Sequence, residues 1–333
     1  MERVIQTMRL YAAMRNGLFV IDDTGTSSIR LANHDLECVA ATDERVFCGT
    51  FDAGLFRSED GGDSFESVGE GTILESVMSL AIDPSDPDTV WVGTEPSAVY
   101  RSTDGGDSWE RRDGLTDLPS EPNWSFPPRP HTHHVRWIEP DPYDSDHLYV
   151  GIEAGALVQT YDGGETWEDK VPTARIDNHS LTAHPDAPGQ VWSAAGDGYA
   201  ESENGGETWV YPQEGLDRRY CWSVALVPDD PDTVLLSSAT GPRTAHNVDS
   251  ADSIVSRKRD GEPWERLDGL PTGEGVTRTV FERGTSGGEL YAVNNRGIYR
   301  TEDAGTTWQE VVEGWPTEFE RTTARGLAVV DDR

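Results

Sequence analysis

One eight-residue segment recurs along this chain and limits its fold more than any other feature. Ser58-Glu59-Asp60-Gly61-Gly62-Asp63-Ser64-Phe65 returns as Ser102-Thr103-Asp104-Gly105-Gly106-Asp107-Ser108-Trp109, and again at residues 160–167, 202–209 and 301–308. Its key carboxylate is Asp60, Asp104, Asp162 and Asp303, with Asn204 in the fourth copy. A sixth copy, residues 257–264, keeps Trp264 but carries Arg259 where the Asp belongs. The copies start at 58, 102, 160, 202, 257 and 301, which puts them 44, 58, 42, 55 and 44 residues apart. The base period is therefore in the low forties, two units carry insertions, and the chain is a repeat array. The residue types explain the segment as a tight turn. Glycines take backbone angles that other residues avoid, and Asp and Ser/Thr side chains bond the turn's own amides. It is a structural device, not a catalytic one.

Around each turn the unit reads alike. An inner strand such as Val77-Met78-Ser79-Leu80-Ala81-Ile82 runs into Asp83-Pro84, and two more short strands lead to the turn and a fourth strand. Short strands at this spacing predict four-stranded propeller blades. The ends complete the count. Residues 10–13 and 17–20 align with 46–49 and 54–57, with Asp23 and Gly25 standing for Asp60 and Gly62, so the N-terminus supplies a blade without its inner strand. Residues 323–330 read as an inner strand with nothing after it. Joining the two predicts an all-β, seven-bladed propeller in one domain, closed without a free edge. Its blades, first to seventh, are 323–333 plus 8–31, 34–67, 75–112, 131–170, 177–212, 219–266 and 275–312.

The recurring octapeptide resembles the Asp box, S/T-x-D-x-G-x-S/T-W, of the sialidase-type (BNR) propellers. The resemblance covers nearly the whole chain at the level of architecture. Seven-bladed relatives are similar to the propeller modules of xyloglucan-type glycosidases and to photosystem II assembly factors. The first implies an enzyme and the second a scaffold. Sialidase catalytic residues do not transfer, because the early Arg-Ile-Pro segment has no counterpart; Arg175-Ile176-Asp177 is the nearest sequence and lies mid-chain.

Composition narrows the setting. Lys+Arg total 27 against 61 Asp+Glu, for a net charge of −34, and only Lys170 and Lys258 are lysines. With 11 Trp, 10 Tyr and 8 Phe the chain is folded under an acidic skin. Such a charge strains a compact state unless salt screens it, so the composition is that expected of a haloarchaeal protein of the high-salt cytoplasm. No basic patch offers itself to nucleic acid, and no apolar run has the length of a membrane span or a signal-peptide core. Three cysteines make no disulfide framework; Cys38 and Cys48 are expected on opposite faces and reduced.

Blade topology puts the octapeptide turns at one end of the ring and the second-to-third-strand loops at the other. Both insertions, residues 113–130 and 240–252, fall at the second end, and long loops of this kind are commonly functional. Short loops there offer Asp52, Glu95, Glu153 and Asp197. Aligning inner strands on their terminal proline gives one entrance residue per blade: Arg325, Glu37, Met78, His134, His179, Trp222 and Val276. On this alignment His134 and His179 occupy matched positions, with His131 and His133 alongside. Arg219 and Tyr220 flank Trp222, and His246 hangs on the second insertion. Six of eight histidines, all but His34 and His184, are placed in this sector and expected to be exposed.

Neutral imidazoles beside carboxylates suit Zn, Mn or Fe(II), with Ca or Mg left open. The expected metal ligands are His134, His179, His246 and His133, and the expected catalytic groups are Glu153, Asp197, Tyr220 and Arg243. The arginines of this end, among them Arg136, Arg278 and Arg325, either clamp an anion or neutralise nearby acids. Three functions remain open: a metal-assisted hydrolase or lyase acting on a small-molecule or carbohydrate ligand, a glycosidase-like enzyme with paired carboxylates, and a non-catalytic assembly scaffold.

Overall fold

The computed structural model describes residues 8–331, so the outermost residues of the closing unit, 332–333, and of the N-terminal segment, 1–7, lie outside the described part. Seven antiparallel sheets stand around one axis. Each inner strand contacts the inner strand of the next blade, and that of the seventh returns to that of the first. The ring closes as the termini predicted. Ala324–Asp331 pairs with Met8–Met14, Leu10 facing Val329 and Ala12 facing Leu327, inside a sheet that continues through Gly17–Ile21 and Ser27–Arg30. No helix among the described residues is long and apolar enough to cross a membrane.

The octapeptide turns repeat the same hydrogen bonds. Ser58 Oγ donates to Asp60 Oδ1 at 2.7 Å and accepts from Gly62 N, while Asp60 accepts Ser64 N at 2.9 Å and Ser64 Oγ. The identical set holds the turns at Asp104, Asp162 and Asp303, and Asn204 also accepts from its Ser and Thr neighbours and the Thr208 amide. Gly61 and Gly62 sit at φ 72° and 92°, where a side chain is strained. The Trp109, Trp209 and Trp308 indoles close their own turns by donating to Gly106, Gly206 and Gly305 carbonyls. In the first blade Asp22, not Asp23, takes the carboxylate's part, accepting the amides of Thr24 and Thr26.

Two blades fall short of four strands, and the sixth gains a fifth, Gly273–Glu274 pairing with Asp252–Lys258. In the fourth and fifth the outer strand shrinks to single bridges, Gln159 to Glu168 and Glu201 to Val210. Pro172 and Pro212 follow closely, and a proline cannot donate to a continuing ladder. Cys38 pairs opposite Gly49 and Val39 opposite Cys48, so the two thiols face away from each other, and all three cysteines are free and buried.

The inner strands share one further feature, which the sequence pattern does not show. Near the end opposite the turns, six blades skip one residue in their pairing: Arg325, Glu37, Met78, Arg136, His179 and Trp222. A bulge of this kind kinks the strand and re-aims a side chain. These residues ring the mouth of an axial cavity of about 370 Å³, on whose wall Glu37, Met78, Arg136 and Arg325 lie.

Candidate functional site

The bulges correct the expected ring at two blades. In the fourth, Arg136 and not His134 stands level with His179, because Asp141-Pro142 and not Pro140 corresponds to Asp83-Pro84. A shift of two keeps His134 on the axial face but moves it one level outward. In the seventh, Arg278 and not Val276 reaches the mouth, stacking on Trp222 at 3.7 Å, while the Val276 carbonyl accepts from Ser253 of the sixth blade. His147 also leaves the sector. It sits at the turn end, bonded to Gln159 and 3.4 Å from Asp141.

His134 and His179 nevertheless meet through one carboxylate. Glu153, from the second-to-third-strand loop of the fourth blade, places Oε2 2.9 Å from His134 Nε2 and Oε1 3.7 Å from His179 Nε2. The far side of His134 lies 3.3 Å from Glu95, which in turn receives Arg129 on both oxygens, at 2.7 and 2.5 Å. Arg129 belongs to the first insertion. That segment folds over the mouth, packing Phe126 on His134 at 4.7 Å and Trp124 on His133 at 5.4 Å. The expectation of exposed histidines therefore fails: His134 and His179 are each 1% exposed.

This burial is electrostatically compensated. Desolvation works against charge on His134, yet the two carboxylates beside it, Glu153 and Glu95, more than offset this and raise its pKa. Glu153 is held ionised: burial opposes it, and His134, His179 and Arg136 more than offset that, lowering its pKa. Glu95 falls to about 2, with His134 and Arg129 outweighing its burial. Asp177 goes the other way. Burial first, and then the charge of Glu153, raise its pKa.

Asp177 is the residue that sequence reasoning missed. It heads the inner strand of the fifth blade, accepts the Ala154 amide at 2.9 Å, and lies 3.8 Å from His179 Nε2. One ligand atom each from Glu153, Asp177 and His179 fall within 4.8 Å of one another. Its close approach needs a glycine: a Cβ on Gly196 would sit 1.9 Å from Asp177 Oδ2. The only sequence signal was Gly196 next to Asp197 on the facing loop.

Of the four histidines expected to hold a metal, two keep a buried ring nitrogen without a hydrogen-bond partner: His134 Nδ1, 3.3 Å from Glu95, and His179 Nε2. His133 uses both, on Ser97 and Glu121, and His134 lies between its two glutamates. Arg278 donates to His246 Nδ1, so His246 carries its proton on Nε2 and donates it to Tyr220 Oη at 2.9 Å. Burial, then Arg278, depresses the His246 pKa and keeps the ring neutral. His179 differs. Its Nδ1 donates to the Cys221 carbonyl at 2.6 Å, which leaves Nε2 buried, without a hydrogen-bond partner, and facing Glu153 and Asp177.

The other candidates lie outside this centre. Asp197 is 38% exposed and 3.8 Å from Arg175, Arg243 is exposed on the short helix Pro242–His246, and Asp52 accepts the Asp35 amide. Tyr220 packs on His179 at 5.0 Å between ring centroids, and burial raises its pKa, so its hydroxyl stays protonated.

No protein-family model matches this chain, and no curated protein matches it. Solved structures do. The GH74 xyloglucanase of Xanthomonas campestris superposes with a TM-score of 0.67 at 15% identity, covering 98% of this chain and 52% of that one. A GH74 enzyme of Niastella koreensis gives 0.66 at 16%, covering 92% and 52%. This chain thus spans about half the length of those enzymes. YCF48 bound to D1 peptide gives 0.61 at 15% identity, covering 98% of this chain and 97% of that one. At these identities the likeness is one of fold: the chain is a seven-bladed β-propeller with neighbours among glycosidases and an assembly factor.

Proposed function

We propose that the mouth is a ligand site in which Glu153, Asp177 and His179 hold a divalent cation of the Mn or Zn type. There the chain acts on a small-molecule or carbohydrate ligand as a metal-assisted hydrolase or lyase. The observation that carries this reading is the Nε2 of His179: a buried ring nitrogen without a hydrogen-bond partner, its ring fixed from behind through Nδ1, facing two carboxylates. Fixing the remote nitrogen by a backbone carbonyl is how metal-binding histidines are oriented, and an N/O donor set suits these ions. A cation here would polarise a ligand oxygen. The chain's own residues do the rest. His134 and Arg136 keep Glu153 ionised, Gly196 admits Asp177, and Phe126 and Trp124 keep water from the fourth-blade side.

A second reading has its own support. The pKa values of Glu153 and Asp177 are driven in opposite directions, the pattern of an acid–base carboxylate pair, which suits a glycosidase-like mechanism without a cation. The near-complete overlap with YCF48 supports a non-catalytic alternative, a propeller that binds an extended partner. The turn bonding supports membership among Asp-box propellers, and the charge of −34 with two lysines supports a high-salt cytoplasm.

The test is metal content of untagged protein purified in molar KCl, with calorimetric titration of Mn²⁺ and Zn²⁺. One ion per chain is expected, bound more tightly as pH rises, because Asp177 must give up a proton held above the usual carboxylate range. His179→Ala should weaken binding by about ten-fold or more. Absence of binding to wild-type protein, or equal binding by His179→Ala, removes the cation and leaves the carboxylate pair.

A further inference from the structure

On the opposite side of Trp222 the mouth changes character. Arg136, Arg278 and Arg325 come from the fourth, seventh and first blades, and the carboxylate of Glu37 lies between two of them. Arg325 Nη1 is 2.9 Å from Glu37 and Arg136 Nη1 is 3.5 Å from it, with Arg136 Nε also 3.9 Å from Glu153. Arg278 has no carboxylate partner among the described residues. It is 2% exposed, its guanidinium carbon lies 3.7 Å from the centre of the Trp222 ring, and its Nη1 is spent on the neutral His246. Its Nε and Nη2 are buried with no hydrogen-bond partner. These two nitrogens form one edge of the guanidinium, the pair of parallel donors that fits a carboxylate or phosphate bidentately.

Burial of an uncompensated charge is costly, and the cost grows because Arg325 and Arg136 repel Arg278 from nearby. Arginine does not relieve this by losing its proton. A shortage of acids is no explanation in a chain with 61 Asp and Glu. Nor is the arrangement loose. Trp222 lies against Arg278 at 3.7 Å and Arg136 at 4.9 Å, and the Ala245 carbonyl of the second insertion accepts the Arg278 amide at 2.9 Å, fixing the residue.

We propose that the Nε–Nη2 edge of Arg278, backed by Arg325 and Arg136, receives the acidic oxyanion group of the ligand that enters this mouth, so that the ligand is an anionic one. This rests on the mouth being the ligand site and holds whether or not a cation binds beside His179. The two halves then divide the work. The Glu153–Asp177–His179 side meets the reacting part, and the arginine side fixes the register of the ligand by its charge. The second insertion is part of the same device, since it positions both Arg278 and His246.

The experiment uses the full chain at constant ionic strength of 2 M in KCl (about 2 Å screening), once after chelation and once with Mn²⁺ added. Acetate and inorganic phosphate replace chloride stepwise, and the melting temperature and calorimetric heat are followed. Saturable stabilisation by acetate or phosphate is expected in both preparations, and the tighter of the two names the acid. Arg278→Lys keeps the charge but loses the paired donors. It should keep the wild-type melting temperature in KCl and weaken oxyanion binding by about ten-fold or more. Arg278→Met should abolish binding; if it fails to fold, the Lys variant still decides. Stabilisation no greater than that by chloride, or unchanged binding in Arg278→Lys, overturns the proposal. Oxyanion binding without Mn²⁺ binding removes the cation reading and leaves this one standing, and Mn²⁺ binding without oxyanion binding does the reverse.

Discussion

At one end of the ring the same side chains recur in turn after turn, and each satisfies itself. Asp104 is bonded only within its own eight residues, and those bonds, led by the Ser108 hydroxyl, hold its carboxyl at about 2. At the other end the same position in successive blades is filled by Arg325, Glu37, Met78, Arg136, His179, Trp222 and then Arg278, and nearly every partner comes from another blade. There the carboxyls are pushed in opposite directions, Glu153 down and Asp177 up. Where the units repeat, interactions are local and serve the scaffold. Where they stop repeating, interactions are long-range and chemical.

The contrast is broken most completely by removing the strand that runs through both ends. Deletion of residues 323–333 strips the first blade of its inner strand and the ring of Arg325. We expect loss of the cooperative thermal transition, followed by circular dichroism in 2 M KCl. A truncated chain melting within a few degrees of the full one would show that closure is not what holds the ring.

Salt should separate the ends next. Exposed carboxylates at the turns repel over a length of about 10 Å at 0.1 M salt, whereas buried pairs at the mouth are screened far less. Melting temperatures at about 0.1 M and 2 M KCl should differ by about 10 °C or more. Similar values at both would reject salt adaptation.

Paired substitutions sharpen the comparison. Asp104→Ala should cost about 1 kcal/mol through the lost turn bonds and leave cation binding unchanged. Asp177→Asn should weaken the cation about ten-fold or more with no loss of stability, since it removes a like charge beside Glu153. Gly196→Ala should follow Asp177→Asn in binding, because its Cβ claims the space of Oδ2. If the turn variant lost binding and the mouth variants lost stability, the division of labour would be refuted.

The effect most confined to one residue lies at the far end of the axial cavity. Burial pushes Glu282 and Glu139 up to about 7, with Arg283 pulling both downward. A carboxyl raised in the folded state favours folding at low pH and disfavours it as pH climbs from the unfolded value through 7. Glu282→Gln should therefore stabilise the protein by about 2 kcal/mol more at pH 8 than at pH 4, measured by denaturant unfolding. Equal gains at both would mean that Glu282 stays ionised in its channel.

Blade number, closure and the facing of Cys38 and Cys48 were legible because turn chemistry and strand alternation are written within a few residues. The mouth was legible by region and not by level. Pro140 and Pro142 stand two apart, and a period of two cannot tell one from the other, so His134 took the place of Arg136. Exposure was misjudged because nothing local reports that Phe126 returns to cover His134. Asp177 was invisible as a site residue since its position depends on Gly196, a strand pair away. Such placements are set by packing between blades, which no single-unit pattern encodes.

The residue skipped in six of the inner strands carries a consequence for how such a molecule can change. Because it is passed over in the pairing, its side chain can be exchanged without shifting the ladder on either side. Acid, base, thioether, imidazole and indole already occupy this one slot on a common frame. The mouth is thus a keyboard with six keys, on which new specificities can be written one substitution at a time while the instrument beneath stays tuned.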